Sequence, residues 1–421
     1  MSTKQIALFV LGFIFTATVS SEEVATPGQF PPKEIQKKVR PLLKEVRAAQ
    51  MAKNEKLVLS FAGQIVEHLG PWAANPNNAP KYHAQIKTQQ PDEETVLALW
   101  RKINAKVKKN ALWVEVPDGN PDKMKHGLRQ AARPIIANAI MYNIDGFKTP
   151  NLLQFIKEGA DYLLKLQRNN GLFPSPDLRG DDRHYTTYNK RALKKNPEAL
   201  VEGWFVDDYR GELQFDHAVS GLAMLKAFQI TQDKKYLDSA VKAANWAISK
   251  ELDTNWSYNA FSAWLLAETY QITGVQKFLF HAIEKVKLGV LPGLLDKGRW
   301  FDPINSRLIY HATNVSGMLA VYRSLEENNL FKEVLRQKIG FAVDNAARQI
   351  ISNGASSATT STVMLVEALE IFGPNTDWQT ALKINVNAAI DTSQKKGSTP
   401  IGVFLPRYID YMKHSEQGKK P

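Results

Sequence analysis

Along most of the chain, apolar residues recur at intervals of three and four, and the two-residue alternation of a half-buried strand is scarce. Segments 33–54 and 55–69 have this helical spacing, and Gly70-Pro71 is expected to stop the second. Residues 71–91, rich in Pro and Asn, read as a loop. Pro91-Asp92-Glu93-Glu94 then starts another helix, with acids in the first turn where the helix dipole favours them. Residues 112–116 are the best short strand candidate.

From about residue 124 the pattern repeats itself. His217-Ala218-Val219-Ser220 through Gln229-Ile230-Thr231 lies over Asn259-Ala260-Phe261-Ser262 through Gln271-Ile272-Thr273, an offset of 42. A short polar turn follows each Gln-Ile-Thr, and Tyr236-Leu237 or Phe278-Leu279 opens a second helix. Ala218, Leu222, Leu225 and Phe228 fall on one face, as do Ala260, Trp264, Ala267 and Tyr270 in the next unit. Each unit therefore reads as a helical hairpin with a single buried seam. Thr313-Asn314-Val315-Ser316-Gly317 matches His217-Ala218-Val219-Ser220-Gly221 at an offset of 96, and weaker copies fall at 126–168 and 356–390. With the N-terminal helices this makes five to seven hairpins, which must stack to bury their seams, in an open superhelix or a closed ring. The expected organisation is one all-α domain over 22–421: N-terminal helices and a loop in 22–123, repeated hairpins in 124–395, and a tail in 396–421.

Ahead of these helices, Lys4, an almost wholly apolar run over 6–19 and the small Ser20 and Ser21 have the layout of a secretory signal peptide, residues 1–21. The run is shorter than the roughly 20 residues that a spanning helix needs. A soluble, secreted or periplasmic protein without membrane contact is expected after cleavage. There is no Cys, which excludes disulfides, thiol catalysis and thiolate metal sites. The formal net charge of +12, from 54 Lys and Arg against 42 Asp and Glu, favours an anionic partner. For an exported chain that partner is an acidic polysaccharide or oligosaccharide, not nucleic acid. Much of the excess sits in 33–56 and 101–109, at a spacing that equally suits a plain solvated helix face. Nothing in the sequence bears on oligomeric state.

The repeated unit has a polar start, a helix of small apolar residues, Gln-Ile-Thr, a turn with Tyr-Leu, and a second helix ending Ala-X-Trp. It resembles the α/α toroids of secreted carbohydrate-active enzymes, the six-hairpin glycosidases and the toroidal polysaccharide lyases of pectate- and alginate-lyase type. Ala160-Asp161-Tyr162-Leu163-Leu164-Lys165-Leu166-Gln167, followed by Asn169-Asn170-Gly171-Leu172-Phe173-Pro174, is similar to the passage by which those chains enter the active-site side. The likeness covers roughly 120–390 and matches no single family's catalytic motif. It implies an (α/α) toroid in which the first helix of each hairpin lines the inside and the helix N-termini open on one mouth.

Residues at those helix starts would then converge beside N–H groups suited to a carboxylate. They are Asp216 and His217; Trp256, Tyr258 and Asn259; and Arg307, Tyr310, His311 and Asn314. The longer connections add Arg179, Asp181, Asp182, Arg183, His184 and Tyr185, then Trp204, Asp207 and Asp208, then Arg299 and Trp300. Aromatic rings stack on pyranose faces, while charged and amide groups fix hydroxyls and carboxylates. The same residue types have structural uses: His217 can cap its helix, and Trp256 and Trp300 can anchor a core.

A β-eliminating lyase must neutralise a uronate carboxylate, for which Arg299 or Arg183 with Asn259 or Asn314 are candidates. It must also abstract the neighbouring proton, for which Tyr310, His311, Tyr258 or His217 are candidates. A hydrolase instead needs two facing carboxylates, Asp216 with one of Asp181, Asp182, Asp207 or Asp208. The basic balance and the Tyr, His, Arg and Asn content favour the lyase. A third possibility is a glycan-binding or scaffold helical-repeat protein without catalysis. No cofactor motif and no spaced metal-ligand set occurs, and a structural or substrate-bridging cation stays open.

Overall fold

The computed structural model describes residues 24–26, 31–75, 78, 81–82, 86–144, 146–178, 193–194, 196–207, 213–253, 255–301, 305–355, 359–396 and 404–416. The signal peptide expected over 1–21 lies outside them. The described chain is almost wholly helical: α1 (Lys33–Met51), α2 (Glu55–Ala74), α3 (Glu93–Lys109), α4 (Leu112–Glu115), α5 (Arg129–Asn143), α6 (Pro150–Leu166), α7 (Leu213–Thr231) and α8 (Lys234–Ser249). Then come α9 (Trp256–Thr273), α10 (Gln276–Gly289), α11 (Leu308–Ser324), α12 (Leu330–Asn353), α13 (Thr359–Phe372), α14 (Thr376–Lys396) and α15 (Phe404–Glu416). Five short strands make two small antiparallel sheets. In one, β1 (Val24–Thr26) pairs with β2 (Lys81–Tyr82); in the other, β5 (Trp204–Phe205) lies between β3 (Ser175–Pro176) and β4 (Leu200–Val201). No described helix is long and apolar enough to cross a membrane.

The helix ends follow the repeat. Thr231 Oγ1 donates to Ala227 O at 2.8 Å and accepts from Asp233 N at 3.2 Å. Thr273 Oγ1 donates to Thr269 O at 2.7 Å and accepts from Val275 N at 3.3 Å. Each Gln-Ile-Thr thus stops its helix with the same side chain, and the next residue turns left-handed, Gln232 at φ 57° and Gly274 at φ 68°. The start of α3 is also as expected: Asp92 Oδ1 accepts from Thr95 N at 2.8 Å, ahead of Glu93 and Glu94.

Two local expectations are corrected. Gly70-Pro71 does not stop α2, which continues to Ala74. The extra turn is held from outside, because Asn78 Nδ2 bonds Trp72 O at 2.8 Å and the Arg299 guanidinium bonds Ala73 O. Residues 112–115 of the 112–116 run form the short helix α4, with Val116 capping its end, and not a strand. Leu112 is buried there and the Trp113 ring packs on Phe155, so tertiary contact overrides the β propensity of the run.

The single seam is also replaced by a two-layer arrangement. The leading helices α7 and α11 are buried on every side, from Asp216 through Leu225 and from His311 through Val321. Their partners α8 and α12 are buried along one stripe, exemplified by Tyr236, Ala240, Ala243 and Ala247 and by Leu335, Ile339, Ala342 and Ala346. A helix buried all round must be enclosed by other helices. Small residues let them approach: a Cβ added at Gly221 would meet Leu265 Cδ1 at 2.8 Å, and one at Gly317 would meet Ala260 O at 2.6 Å. These are matching positions of the repeat, and both face α9.

The described residues divide into two compact units. The first takes its residues from 1–91, 252–263 and 282–399; in it α1 pairs with α2, α11 packs on α13, and α12 packs on α14. The second takes its residues from 92–251, 264–281 and 400–421; in it α5 packs on α7, α8 on α7, and α15 covers α5 and α3.

Candidate functional site

The first unit brings together the starts of α9 and α11 through Asn305, a residue absent from the sequence-based candidates. Its Oδ1 accepts from Ser257 N at 3.2 Å and from Asn314 Nδ2 at 3.3 Å, and its Nδ2 donates to Asn255 Oδ1 at 3.1 Å. Asn255 N in turn donates to Asp253 Oδ1 at 2.6 Å. The visible signal for this hub was the polar run Asn305-Ser306-Arg307 before an apolar helix.

Several predicted residues here serve the fold. Asn259 accepts from Asp253 N at 2.9 Å and donates to Asp253 O and Gly289 O at 2.6 and 2.7 Å, which uses its carbonyl and both amide protons. Arg299 is only 5% exposed, and its guanidinium binds Ala73 O, Asn78 O and Ser306 Oγ, so its charge is spent on tying α2 to the loop before α11. Trp300 is fully buried, donates Nε1 to Val290 O at 3.2 Å and meets the His311 ring edge-on at 5.0 Å. Trp256 is buried edge-on against Phe301. Neither indole offers a face to a sugar in this arrangement.

His311 is fully buried, with Nε2 2.8 Å from Ala342 O. A carbonyl only accepts, so the ring proton sits on Nε2. Nδ1 is buried without a hydrogen-bond partner. Burial pushes the imidazole pKa down to about 4, with the Ala342 bond opposing and Arg299 adding a smaller downward push.

The half-buried polar and aromatic side chains at this end are Asn255, Tyr258, Arg307 and Tyr310. Arg307 immediately precedes α11, and its guanidinium lies 4.9 Å from the centroid of the Tyr310 ring. A stacked guanidinium keeps its edge N–H groups for other partners, and Arg307 Nε is a buried donor with no hydrogen-bond partner. Asn314 Oδ1 is likewise a buried acceptor without one.

The second unit holds Asp216, His217 and Trp204. His217 is fully buried; Phe173 N donates to Nδ1 at 3.1 Å and Nε2 donates to Ala243 O at 2.9 Å. Burial is the main cause of its pKa falling to about 3. A ring with both nitrogens bonded inside the fold has no lone pair left for a substrate proton. Trp204 is buried in the small sheet. Asp216 is also buried, with Oδ1 3.4 Å from Arg129 Nη1, inside ion-pair range but outside hydrogen-bond geometry. Beside it the Phe215 ring carries the guanidinium of Arg129 at 4.8 Å and that of Arg133 at 5.8 Å. Asp207 is held by Lys250 at 3.1 Å and Asn196 at 3.3 Å. Arg183, His184 and Tyr185 lie outside the described residues, as do Arg179, Asp181, Asp182 and Asp208. Among the described residues, no group of three or more His, Asp and Glu is placed to hold a metal ion.

No family model matches the chain, and no curated protein matches its sequence. Solved structures do match its fold. A glycosyl hydrolase family 88 protein from Bacteroides vulgatus is 12% identical, over 76% of this chain and 100% of that one, with a TM-score of 0.50. A polysaccharide lyase is likewise 12% identical, over 76% of this chain and 98% of that one, also with a TM-score of 0.50. The helical hairpins described above therefore belong to the all-α, α/α-toroid fold class.

Proposed function

We propose that this protein is a carbohydrate-active enzyme that cleaves a uronate-containing polysaccharide by β-elimination, with Tyr310 as the base and Arg307 as the carboxylate partner. The observation that carries this reading is the half-buried Arg307 guanidinium over the half-buried Tyr310 ring, 4.9 Å from its centroid. A uronate carboxylate meeting the solvent-reached part of that half-buried guanidinium would have its charge spread, which makes the adjacent C5 proton easier to remove. Tyr310, as the phenolate, would take that proton, a C4=C5 double bond would form as the C4–O bond breaks, and the resulting phenol would pass its proton to the departing sugar oxygen. Fold likeness to a polysaccharide lyase and the basic balance of the chain support the same direction.

Hydrolysis is the second reading, favoured by the buried Asp216 carboxylate with its unbonded Oδ1 near Arg129 and by the likeness to a glycosyl hydrolase. Digestion of acidic polysaccharides, followed simultaneously by the ultraviolet absorbance of unsaturated uronate and by new reducing ends, separates the two. Reducing ends without the unsaturated signal reject elimination. Neither signal from any substrate leaves the non-catalytic glycan binder.

A further inference from the structure

In the second unit, the end of α3, the short α4 and the first turns of α6 line a cavity of about 340 Å³ that plays no part in the chemistry above. Its apolar part is the exposed Val114 together with the Trp113 and Phe155 rings, which lie 4.8 Å apart at 55°. Room for the indole comes from Gly159 on α6, where an added Cβ would lie 2.7 Å from the ring. Asn151, Gln154 and Glu158 also line it, exposed at spacings of three and four along one face of α6. Gln154 Nε2 donates to Glu158 Oε1 at 2.9 Å, which fixes that carboxylate. Lys108 Nζ stands 5.5 Å from the Phe155 centroid, and Trp113 Nε1 is buried with no hydrogen-bond partner, an uncommon state for an indole.

We propose that this cavity is an accessory binding site for one hexuronate residue of an acidic oligosaccharide. A pyranose has an apolar C–H face for an aromatic ring and a rim of hydroxyls for amides and carboxylates, and both are present here. Lys108 meets the uronate carboxylate, while Asn151, Gln154 and Glu158 bond hydroxyls. The Glu158 charge weighs against a dense polyanion such as nucleic acid, yet its oxygens accept from sugar hydroxyls. Exposed Lys102, Lys106 and Lys109 on α3 add positive potential nearby. The inference shares the glycan part of the proposed function but not the chemistry at Tyr310.

Calorimetric titration of the full chain with tetramers of galacturonate, mannuronate and the hyaluronan repeat, with cellotetraose as neutral control, tests it. The variants are Asn151→Ala/Gln154→Ala, whose side chains are exposed, and the conservative Trp113→Phe. At least one acidic tetramer should bind, and each variant should weaken it about tenfold or more with an unchanged melting temperature for the double variant. Arg307→Ala should leave this component of binding intact. Wild-type affinity in both variants overturns the site, as does failure of every acidic tetramer to bind. Equal affinity for cellotetraose overturns the assignment to uronates. Loss of binding in Arg307→Ala alone overturns this site while sparing the proposed catalytic one.

Discussion

His311 Nε2 donates to the carbonyl oxygen of Ala342 at 2.8 Å, clasping the leading helix of a hairpin to its partner across 31 residues of sequence. His217 clasps α7 to α8 in the same way through Ala243, across 26 residues, and Asn259 clasps α9 to α10 through Gly289. Residues at the starts of the leading helices are thus engaged in holding hairpins closed.

Both histidines are neutral in the fold, because burial disfavours their charged form. An unfolded histidine titrates near 6.5, so below about that pH the unfolded chain binds protons that the fold refuses, and stability falls. The loss should continue as pH drops towards the folded values of about 4 for His311 and about 3 for His217. His217→Gln should flatten the dependence of melting temperature on pH across this acid range. An unchanged slope would refute the assignment.

Tyr310→Phe should lower formation of unsaturated product roughly hundredfold or more, as loss of a general base does, with the melting temperature preserved. Arg307→Lys should not restore the rate of Arg307→Ala, because an ammonium lacks the flat, forked geometry. Full activity in Tyr310→Phe would remove Tyr310 from the chemistry.

Arg299→Ala should act on stability and not on substrate. It removes three buried hydrogen bonds and leaves acceptors unpaired, a loss of about 3 kcal/mol or more. Denaturant titration checks this, and a variant of normal stability with weakened substrate binding would contradict it.

Gly317→Ala should destabilise by roughly 1–3 kcal/mol and more than Gly221→Ala. The first would press on a backbone carbonyl, whereas the second meets methyl groups at the end of a leucine side chain that can turn away. The reverse order in thermal melts would contradict the close approach to α9.

If the ligand is an acidic glycan, affinity should fall as salt rises, since exposed charge contacts are screened over about 8–10 Å at physiological ionic strength. Titrations at low and high salt read this directly, and salt-independent binding of neutral glycans as tight as that of acidic ones would reject it.

The hairpins were legible because Gln-Ile-Thr at 229–231 and 271–273 marks two helix stops with one side-chain bond each. The burial pattern was not. Small residues such as Ala223, outside the face of Ala218, Leu222, Leu225 and Phe228, look neutral in sequence, and only the enclosing helices show that they are interior. At the site, a polar residue at a helix start reads the same whether it awaits a ligand or binds a carbonyl many residues away. Hence Arg299, His217 and Asn259 look like site residues in the sequence and are structural in the fold. Arg307 stood in the sequence beside Tyr310, but nothing there set it above Arg299.

An arm enclosed on all sides has no surface on which sequence can drift freely. In α7 and α11 a change of even one methyl group is met by a neighbouring helix, whereas α8 and α12 keep a broad solvent face. Saturation mutagenesis of this chain should therefore alternate along its length, intolerant through one arm of each hairpin and permissive through most of the next. Attachment points for labels, tags or surface redesign belong on the permissive arms.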